Sequence, residues 1–246
     1  MIQILAAAYG YYPGYKAFAD SMKEMAIYQI ASLLNEKNKM KEVYRLRANL
    51  LYTTFKSVSC EMVVATVIKS LLENIPGYTL ILKCMKEGCN NVVERVCPLL
   101  SLNGNVLNNK VSNLHDAIFA NFPTKYSATC GHCKQSMTAS KKFGNHLFIE
   151  VPDKIIESTD DEMGDYGATN SFELSDIPSR LDMLETPYAL LGIIIFEPPA
   201  TASVDSYGHY VTAIKINNEF VIYDDLRNDT YNISANKVVG IHALFY

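Results

Sequence analysis

The sequence predicts an α+β protein in which helices come first and antiparallel strands follow. Apolar residues recur at helical spacing over the first third of the 246-residue chain, and the period then changes towards two. Near the C-terminus, 209–216 and 219–224 are rich in β-branched and aromatic residues, and only Asn217-Asn218 separates them. This pattern is typical of a β-hairpin with a two-residue turn. A chain of this length can bury one sizeable core, so we expect a single domain over 1–246.

Glycine and proline residues divide the helical third. The apolar spacing predicts four helices, with expected ranges 2–9, 16–36, 41–54 and 59–73. A stretch with glycine and proline at 10–14 separates the first two helices, and Pro76-Gly77 ends the last. The first helix begins on an apolar pattern without a capping residue. We therefore expect that its start lies upstream of Met1 and that the chain is truncated.

Short strands with turn residues between them follow the helices. Their expected ranges are 78–83, 92–97 and 147–151, followed by the hairpin. The first third is therefore expected to be helical, and the remaining two thirds mostly β.

The predicted hairpin brings a histidine and a carboxylate together. With a two-residue turn, Ile216 faces Glu219. The same register places Asp224 opposite Val211 and one diagonal away from His209, on the same face of the sheet. A carboxylate there fixes the tautomer of the imidazole and stabilises the imidazolium, which prepares a general base beside a nucleophile. A surface hairpin with an incidental histidine and aspartate is the alternative.

Four of the six cysteines form two close pairs. Four residues separate Cys84 from Cys89, two separate Cys130 from Cys133, and each pair spans a turn that contains glycine. Four thiolates on two such turns suit tetrahedral zinc. A site closed by four cysteines is structural, because no coordination position remains for substrate. Thiols without a metal are the alternative.

Three other residues widen the choice of ligands and of nucleophile. Cys97 and His132 could substitute as metal ligands. Cys60 lies at the start of a predicted helix, where the helix dipole favours the thiolate, and it precedes His209 in the order of a papain-like cysteine enzyme. We favour a buried helix thiol for Cys60, since free cysteine is among the most buried residue types.

Charge and hydropathy exclude several classes of protein. The net charge of −4 at pH 7 argues against a nucleic-acid partner, which would need clustered lysine and arginine. The longest apolar run, 188–196, is much shorter than the roughly 20 residues that span a bilayer. The N-terminus lacks the basic region and long apolar core of a signal peptide. We therefore expect an intracellular protein, cytoplasmic or nuclear, without a membrane partner and with cysteines that are not in disulfides.

Four short pieces of the C-terminal region carry a resemblance to a known family. In chain order they are 188–194, Gly208-His209-Tyr210, Tyr223-Asp224-Asp225 and 242–246. Their content, order and spacing resemble the C-terminal part of the ubiquitin-specific proteases, deubiquitinating cysteine enzymes with a thumb, fingers and a palm. The two cysteine pairs look like the zinc-bearing fingers of that family, and the helical third fits the thumb loosely.

The resemblance implies a papain-like cysteine peptidase fold with a thumb remnant over 1–77, fingers over 78–151 and a palm over 152–246. It makes His209 the general base and Asp224 its orienting partner. Asp225 would support the transition state or the fold, and Gly208 and Tyr210 would bind substrate. A structural zinc on the four paired cysteines and a partner that is ubiquitin or a ubiquitin-like modifier are also implied.

The nucleophile that the resemblance requires is absent from the expected place. In the family it lies in an Asn-Thr-Cys-like box, followed shortly by a stretch that resembles Ile2-Gln3-Ile4-Leu5, and the chain begins after that box. Without a thiolate no acyl-enzyme forms. We therefore expect a deubiquitinase-like domain for (iso)peptide bonds at the ubiquitin C-terminus that is inactive as it stands. The alternatives are a non-catalytic ubiquitin-binding relative, a zinc-ribbon interaction protein and an enzyme that uses Cys60.

Overall fold

Helices precede strands along the chain, as the sequence predicts. The computed structural model describes residues 1–57, 64–102, 128–152, 171–184, 186–197, 208–224 and 229–246. Within these ranges, five helices come before thirteen strands. Neighbouring strands pair antiparallel, with one parallel pair in the middle of the chain. The structure therefore confirms a mixed protein with mainly antiparallel sheets.

The helical part contains one more helix than expected. The helices are α1 (Ile2–Tyr11), α2 (Pro13–Ser21), α3 (Ala26–Leu33), α4 (Met40–Phe55) and α5 (Val64–Leu71). The single helix expected over 16–36 is wrong, because the chain leaves the helix after Ser21 and is extended at Met25. A continuous helix of that length would be about 31 Å long. The break allows α3 to fold back and pack against α1.

The thirteen strands form three sheets. They are β1 (Tyr78–Cys84), β2 (Val92–Cys97), β3 (Leu99–Ser101), β4 (Met137–Phe143), β5 (Phe148–Glu150), β6 (Ser171–Glu173), β7 (Arg180–Met183), β8 (Thr186–Ala189), β9 (Gly192–Glu197), β10 (His209–Ile216), β11 (Glu219–Asp224), β12 (Asp229–Ile233) and β13 (Val238–Phe245). The large sheet has the order β12-β11-β10-β9-β13-β5-β3, and β6 pairs with β13. The small sheet has the order β2-β1-β4, and β7 pairs with β8 alone.

The large sheet is covered by apolar side chains on both faces. Along β10, Val211 and Ala213 belong to one cluster, with residues of β7, β8 and β11. Ile214 belongs to the other cluster, which contains most of the buried residues of α1, α3 and α5. The helices lie close to the sheet: a Cβ on Gly192 would approach Ile4 to 2.9 Å. This packing holds α1 directly beside the hairpin of β10 and β11.

The small sheet has a much smaller core. Its buried residues within the described part of the chain are Leu80, Leu82, Cys84, Cys130 and Met137. The strand expected at 147–151 is present as β5, but it pairs with β13 in the large sheet. Among the described residues, no helix has the length and apolar character needed to cross a bilayer.

Candidate active site and metal centre

The hairpin of β10 and β11 has the turn and the register that the sequence predicts. Asn217 and Asn218 both have positive φ, at 49° and 68°, which is the conformation of a type I′ turn. Ile216 pairs with Glu219, and the register continues without a shift to Thr212 and Tyr223. The twist of this turn matches that of the strands, so the ends of the hairpin are held at a fixed distance.

His209 and Asp224 meet at the open end of the hairpin. The distance from His209 Nε2 to Asp224 Oδ1 is 2.9 Å. The Asp224 side chain is 2% exposed, whereas the His209 side chain is 25% exposed. The buried carboxylate accepts a hydrogen bond from Nε2–H. The neutral ring therefore carries its proton on Nε2 and its basic lone pair on Nδ1. The arrangement can accept a proton at Nδ1 and stabilise the resulting imidazolium.

Aromatic rings pack beside Gly208 and Tyr210. A Cβ on Gly208 would overlap the ring of Phe196, so any side chain there requires the ring to move. The Phe196 and Tyr210 ring centroids are 5.1 Å apart, and Tyr210 meets the buried His242 edge-on at 5.2 Å. Phe196 was not singled out from the sequence; the glycine that precedes His209 is the signal that a bulky neighbour fills this space.

Two cavities lie between the helices and the hairpin. One, of about 520 Å³, is lined by Gln3, Tyr223 and Asp224 among others. The second, of about 620 Å³, is lined mainly by apolar side chains of the helices, together with Tyr210 and Tyr223. Asp224 and Tyr210 therefore each border a cavity on the side of the sheet that faces the helices.

Two of the sequence-predicted residues fall outside the described ranges. Asp225 follows β11 directly, and Cys60 precedes α5. All five described cysteines lie in the small sheet or in its connecting turns. The structure therefore brings His209 and Asp224 together, and it describes no cysteine on the hairpin.

Four cysteines converge at one end of the small sheet. The thiols of Cys84, Cys89, Cys130 and Cys133 all lie within 4.8 Å of one another. Sγ of Cys84 is 3.3 Å from Sγ of Cys133, and Sγ of Cys89 is 3.8 Å from Sγ of Cys130. Four sulfur ligands around tetrahedral zinc, at about 2.3 Å each, lie about 3.8 Å apart. The four cysteines are therefore close enough to bind a metal such as zinc.

Backbone and amide donors surround the sulfur atoms. The Lys86 amide donates to Sγ of Cys84 at 3.4 Å, and Asn91 Nδ2 donates to Sγ of Cys130 at 3.3 Å. The Lys86 amide favours the Cys84 thiolate, but burial and the neighbouring thiols raise the pKa of Cys84 to about 12. The Cys133 amide, aided by Asn91, lowers the pKa of Cys130 to about 6 against the effect of burial. Full deprotonation of four adjacent thiols thus calls for a cation.

The two substitute ligands lie outside the cluster. Cys97 pairs with Tyr78 at the opposite end of β1 from Cys84, which is about 20 Å along a strand of this length. His132 is exposed and is not part of the cluster. Cys97 is therefore too far from the cluster to replace a ligand, and replacement by His132 stays a prediction.

Comparison with known proteins gives a likeness of fold. No protein-family model matches the chain, and no curated protein matches its sequence. A solved structure of the SAGA DUB module, Ubp8/Sgf11/Sus1/Sgf73 bound to monoubiquitin, is 15% identical with a TM-score of 0.53, and the match covers 99% of this chain and 65% of that one. A variant of the same module is 14% identical with a TM-score of 0.53, over 99% of this chain and 66% of that one.

The relationship to the ubiquitin-specific proteases is distant and structural. Ubp8 is a member of that family, and at this level of identity the similarity concerns the fold. The chain spans just under two thirds of the length of the two solved chains that it matches.

Proposed function

We propose that the chain is a deubiquitinase-like cysteine peptidase domain with a papain-like fold. In this proposal α1–α5 form the thumb, the small sheet forms the fingers and the large sheet forms the palm of one domain. The observation that carries it is the 2.9 Å contact of His209 with the buried Asp224. The pair lies on a fold similar to a deubiquitinase module solved with monoubiquitin, which supports ubiquitin or a ubiquitin-like modifier as the partner.

The site residues receive roles from their chemistry. His209 would act as the general base through Nδ1, and Asp224 would orient the ring and stabilise its charged form. Asp225 would assist the transition state. Gly208 and Tyr210 would border the path of the substrate tail, and the Phe196 ring packs against Gly208. Zinc on Cys84, Cys89, Cys130 and Cys133 would stabilise the small sheet.

The location of the thiols favours a second candidate, a domain that binds ubiquitin without hydrolysing it. Hydrolysis by this fold needs a thiolate beside His209, since the covalent intermediate forms on sulfur. The five described cysteines all belong to the small sheet and its turns. Cys60 is therefore the thiol to test within this chain.

A ubiquitin probe with a thiol-reactive C-terminus separates the two candidates. The purified chain is mixed with the probe, and binding of unmodified ubiquitin is measured by calorimetry in parallel. We expect ubiquitin to bind, because the fold is retained, and labelling to be absent or to depend on one cysteine. Labelling that disappears in both Cys60→Ala and His209→Ala identifies an enzyme with Cys60 as nucleophile.

A control variant shows whether changes in ubiquitin binding or in probe labelling are specific to the hairpin site. His132→Ala removes an exposed histidine away from the hairpin and should change neither binding nor labelling. Binding without labelling identifies the non-catalytic candidate. A chain that is folded by circular dichroism but neither binds ubiquitin nor reacts with the probe would overturn the proposed function.

A further inference from the structure

We propose that β2 is a docking strand, to which an extended segment of another protein adds as a fourth strand of the small sheet. β2 lies at the edge of the order β2-β1-β4 and pairs with β1 over six positions, from Val92 to Cys97. Five of its six residues are exposed. An edge strand presents backbone N–H and C=O groups that can pair with another chain.

β2 exposes apolar side chains on both faces. Val92 is 47% exposed and Val96 is 48% exposed, and alternation puts both on one face with Glu94 between them. Val93 is 36% exposed on the other face, beside Arg95. Unpaired valines at the edge of a sheet are a liability for a soluble domain unless something covers them.

The other edges of the two main sheets differ from β2 within the described ranges. The opposite edge of the small sheet, β4, carries Lys141 and Lys142. The edges of the large sheet are β3, which has only three residues, and β12, whose sequence is Asp-Thr-Tyr-Asn-Ile. Lysine and short length are among the usual means of preventing edge pairing. β2 has neither lysine nor proline, and beside its two charged residues, Glu94 and Arg95, it has three exposed valines.

The charges on β2 define the partner sequence. Residues directly opposite one another in an antiparallel pair share a face, so a basic residue should face Glu94 and an acidic residue should face Arg95. Apolar residues should face the three valines. Read from its N-terminus, the partner strand is therefore apolar, acidic, basic, apolar, apolar.

A second copy of the chain fits this edge poorly. A two-fold axis between identical antiparallel strands places one residue opposite itself. The two registers with the greatest overlap are centred on Glu94 and on Arg95, and each brings two like charges together. The observed charges therefore favour a different protein segment over self-association.

The probe is a fluorescent synthetic peptide, acetyl-Thr-Val-Glu-Lys-Val-Val-Thr-amide, and its binding to the full chain is followed by anisotropy. Two further peptides carry N-methyl groups on alternate residues, in opposite phase. In strand addition only alternate N–H groups face the edge. One methylated peptide should therefore lose binding at least tenfold, because each of its methyl groups removes a backbone hydrogen bond to the edge, and the other should bind like the parent.

Variants of the protein test the strand itself. Val96→Lys should weaken binding about tenfold, because it gives the edge the lysine that normally prevents pairing. Val238→Lys is the matched control, since Val238 is 57% exposed on β13, and it should leave binding unchanged. Glu94→Lys should weaken binding about fivefold, and a peptide with glutamate in place of its lysine should restore it.

Three results would overturn the proposal. Equal binding of both methylated peptides would exclude strand addition, and normal binding by Val96→Lys would place the peptide elsewhere. A wild-type dimer in sedimentation equilibrium that Val96→Lys dissociates would identify a second copy as the occupant. None of these measurements involves ubiquitin, so this inference and the proposed function fail independently.

Discussion

The two main sheets are stabilised in different ways. The large sheet has an apolar cluster on each face, and each cluster contains many fully buried side chains. The small sheet has five buried residues among those described, and two of them are cysteines of the four-thiol cluster. Burial of one large apolar side chain stabilises the folded state by roughly 1.5–3 kcal/mol, so the few buried residues of the small sheet contribute little to its stability. The contrast predicts that the small sheet depends on a metal held by its four cysteines, whereas the large sheet depends on packing.

Removal of the metal should have the largest effect on this contrast. Dialysis of the purified protein against a strong chelator should speed amide hydrogen exchange in β1, β2 and β4 by about 1,000-fold or more, since the binding energy of a structural ion is folding energy. Exchange in β9, β10 and β11 should hardly change. Mass spectrometry of peptic fragments measures both regions in one sample, and Cys130→Ser should reproduce the result without chelator.

Cys97→Ser is the matched control for metal removal. Cys97 is on β2 but at the end of the sheet away from the cluster, so metal content and exchange should be unchanged. Persistent protection of β1 after complete metal loss would mean that the small core is sufficient, and the contrast between the sheets would disappear.

Acid should destabilise the large sheet through His146. This ring is 1% exposed and packs among Tyr15, Phe148 and Phe245, and within the described part of the chain neither ring nitrogen has a hydrogen-bond partner. Burial lowers the pKa of His146 from 6.5 to about 4. Between these two pH values His146 binds a proton in the unfolded chain but not in the folded chain. The free energy of unfolding therefore decreases as the pH falls from 6.5 towards 4.

The expected loss from His146 is about 2 kcal/mol between pH 7 and pH 5, approaching about 3 kcal/mol below pH 4. Chemical denaturation followed by far-ultraviolet circular dichroism measures it, which suits a chain without tryptophan. His146→Phe should remove this part of the pH dependence, and His132→Ala should not. Parallel stability curves for the wild type and His146→Phe from pH 7 to 5 would contradict the assignment.

A methyl group on Gly208 should have the smallest and most local effect. In Gly208→Ala the Phe196 ring must move, at a cost of about 1–3 kcal/mol for overpacking. The shift should alter the imidazole resonances of the adjacent His209, while the cysteine cluster and its metal content stay the same. Nuclear magnetic resonance of the histidine side chains, with thermal unfolding, measures both consequences.

Gly14→Ala provides the comparison for that substitution. Gly14 lies in α2 with nothing within 4 Å of an added Cβ, so alanine should be neutral or should stabilise the helix by up to about 1 kcal/mol. Equal effects of the two substitutions would show that the contact with Phe196 does not restrain the site.

Local features of the site could be predicted from the sequence, and non-local ones could not. The turn at Asn217-Asn218 fixes the register within a few residues, so the approach of Asp224 to His209 follows from short-range geometry. The ring of Phe196 contacts Gly208 from a neighbouring strand, and the sequence around Phe196 does not predict that contact. The roles of Asp225 and Cys60 stay predictions.

The helices and the middle region follow the same rule. Periodicity detects the helical character of 16–36, but the break before α3 arises because α3 packs on α1, a tertiary contact. The strand near 147–151 was expected, whereas its place in the large sheet depends on pairing with β13, nearly 100 residues later. His146 lies beside this strand, and its burial results from the same long-range assembly.

The proximity of His209 and Asp224 along the chain has a consequence for how the site is assembled. Fourteen residues separate them, so closing the segment between them costs little entropy, and the segment contains its own turn. The acid–base pair therefore forms whenever this hairpin forms. The hairpin is therefore a self-contained unit, and the distance between His209 and Asp224 can be kept while distant parts of the chain change in sequence.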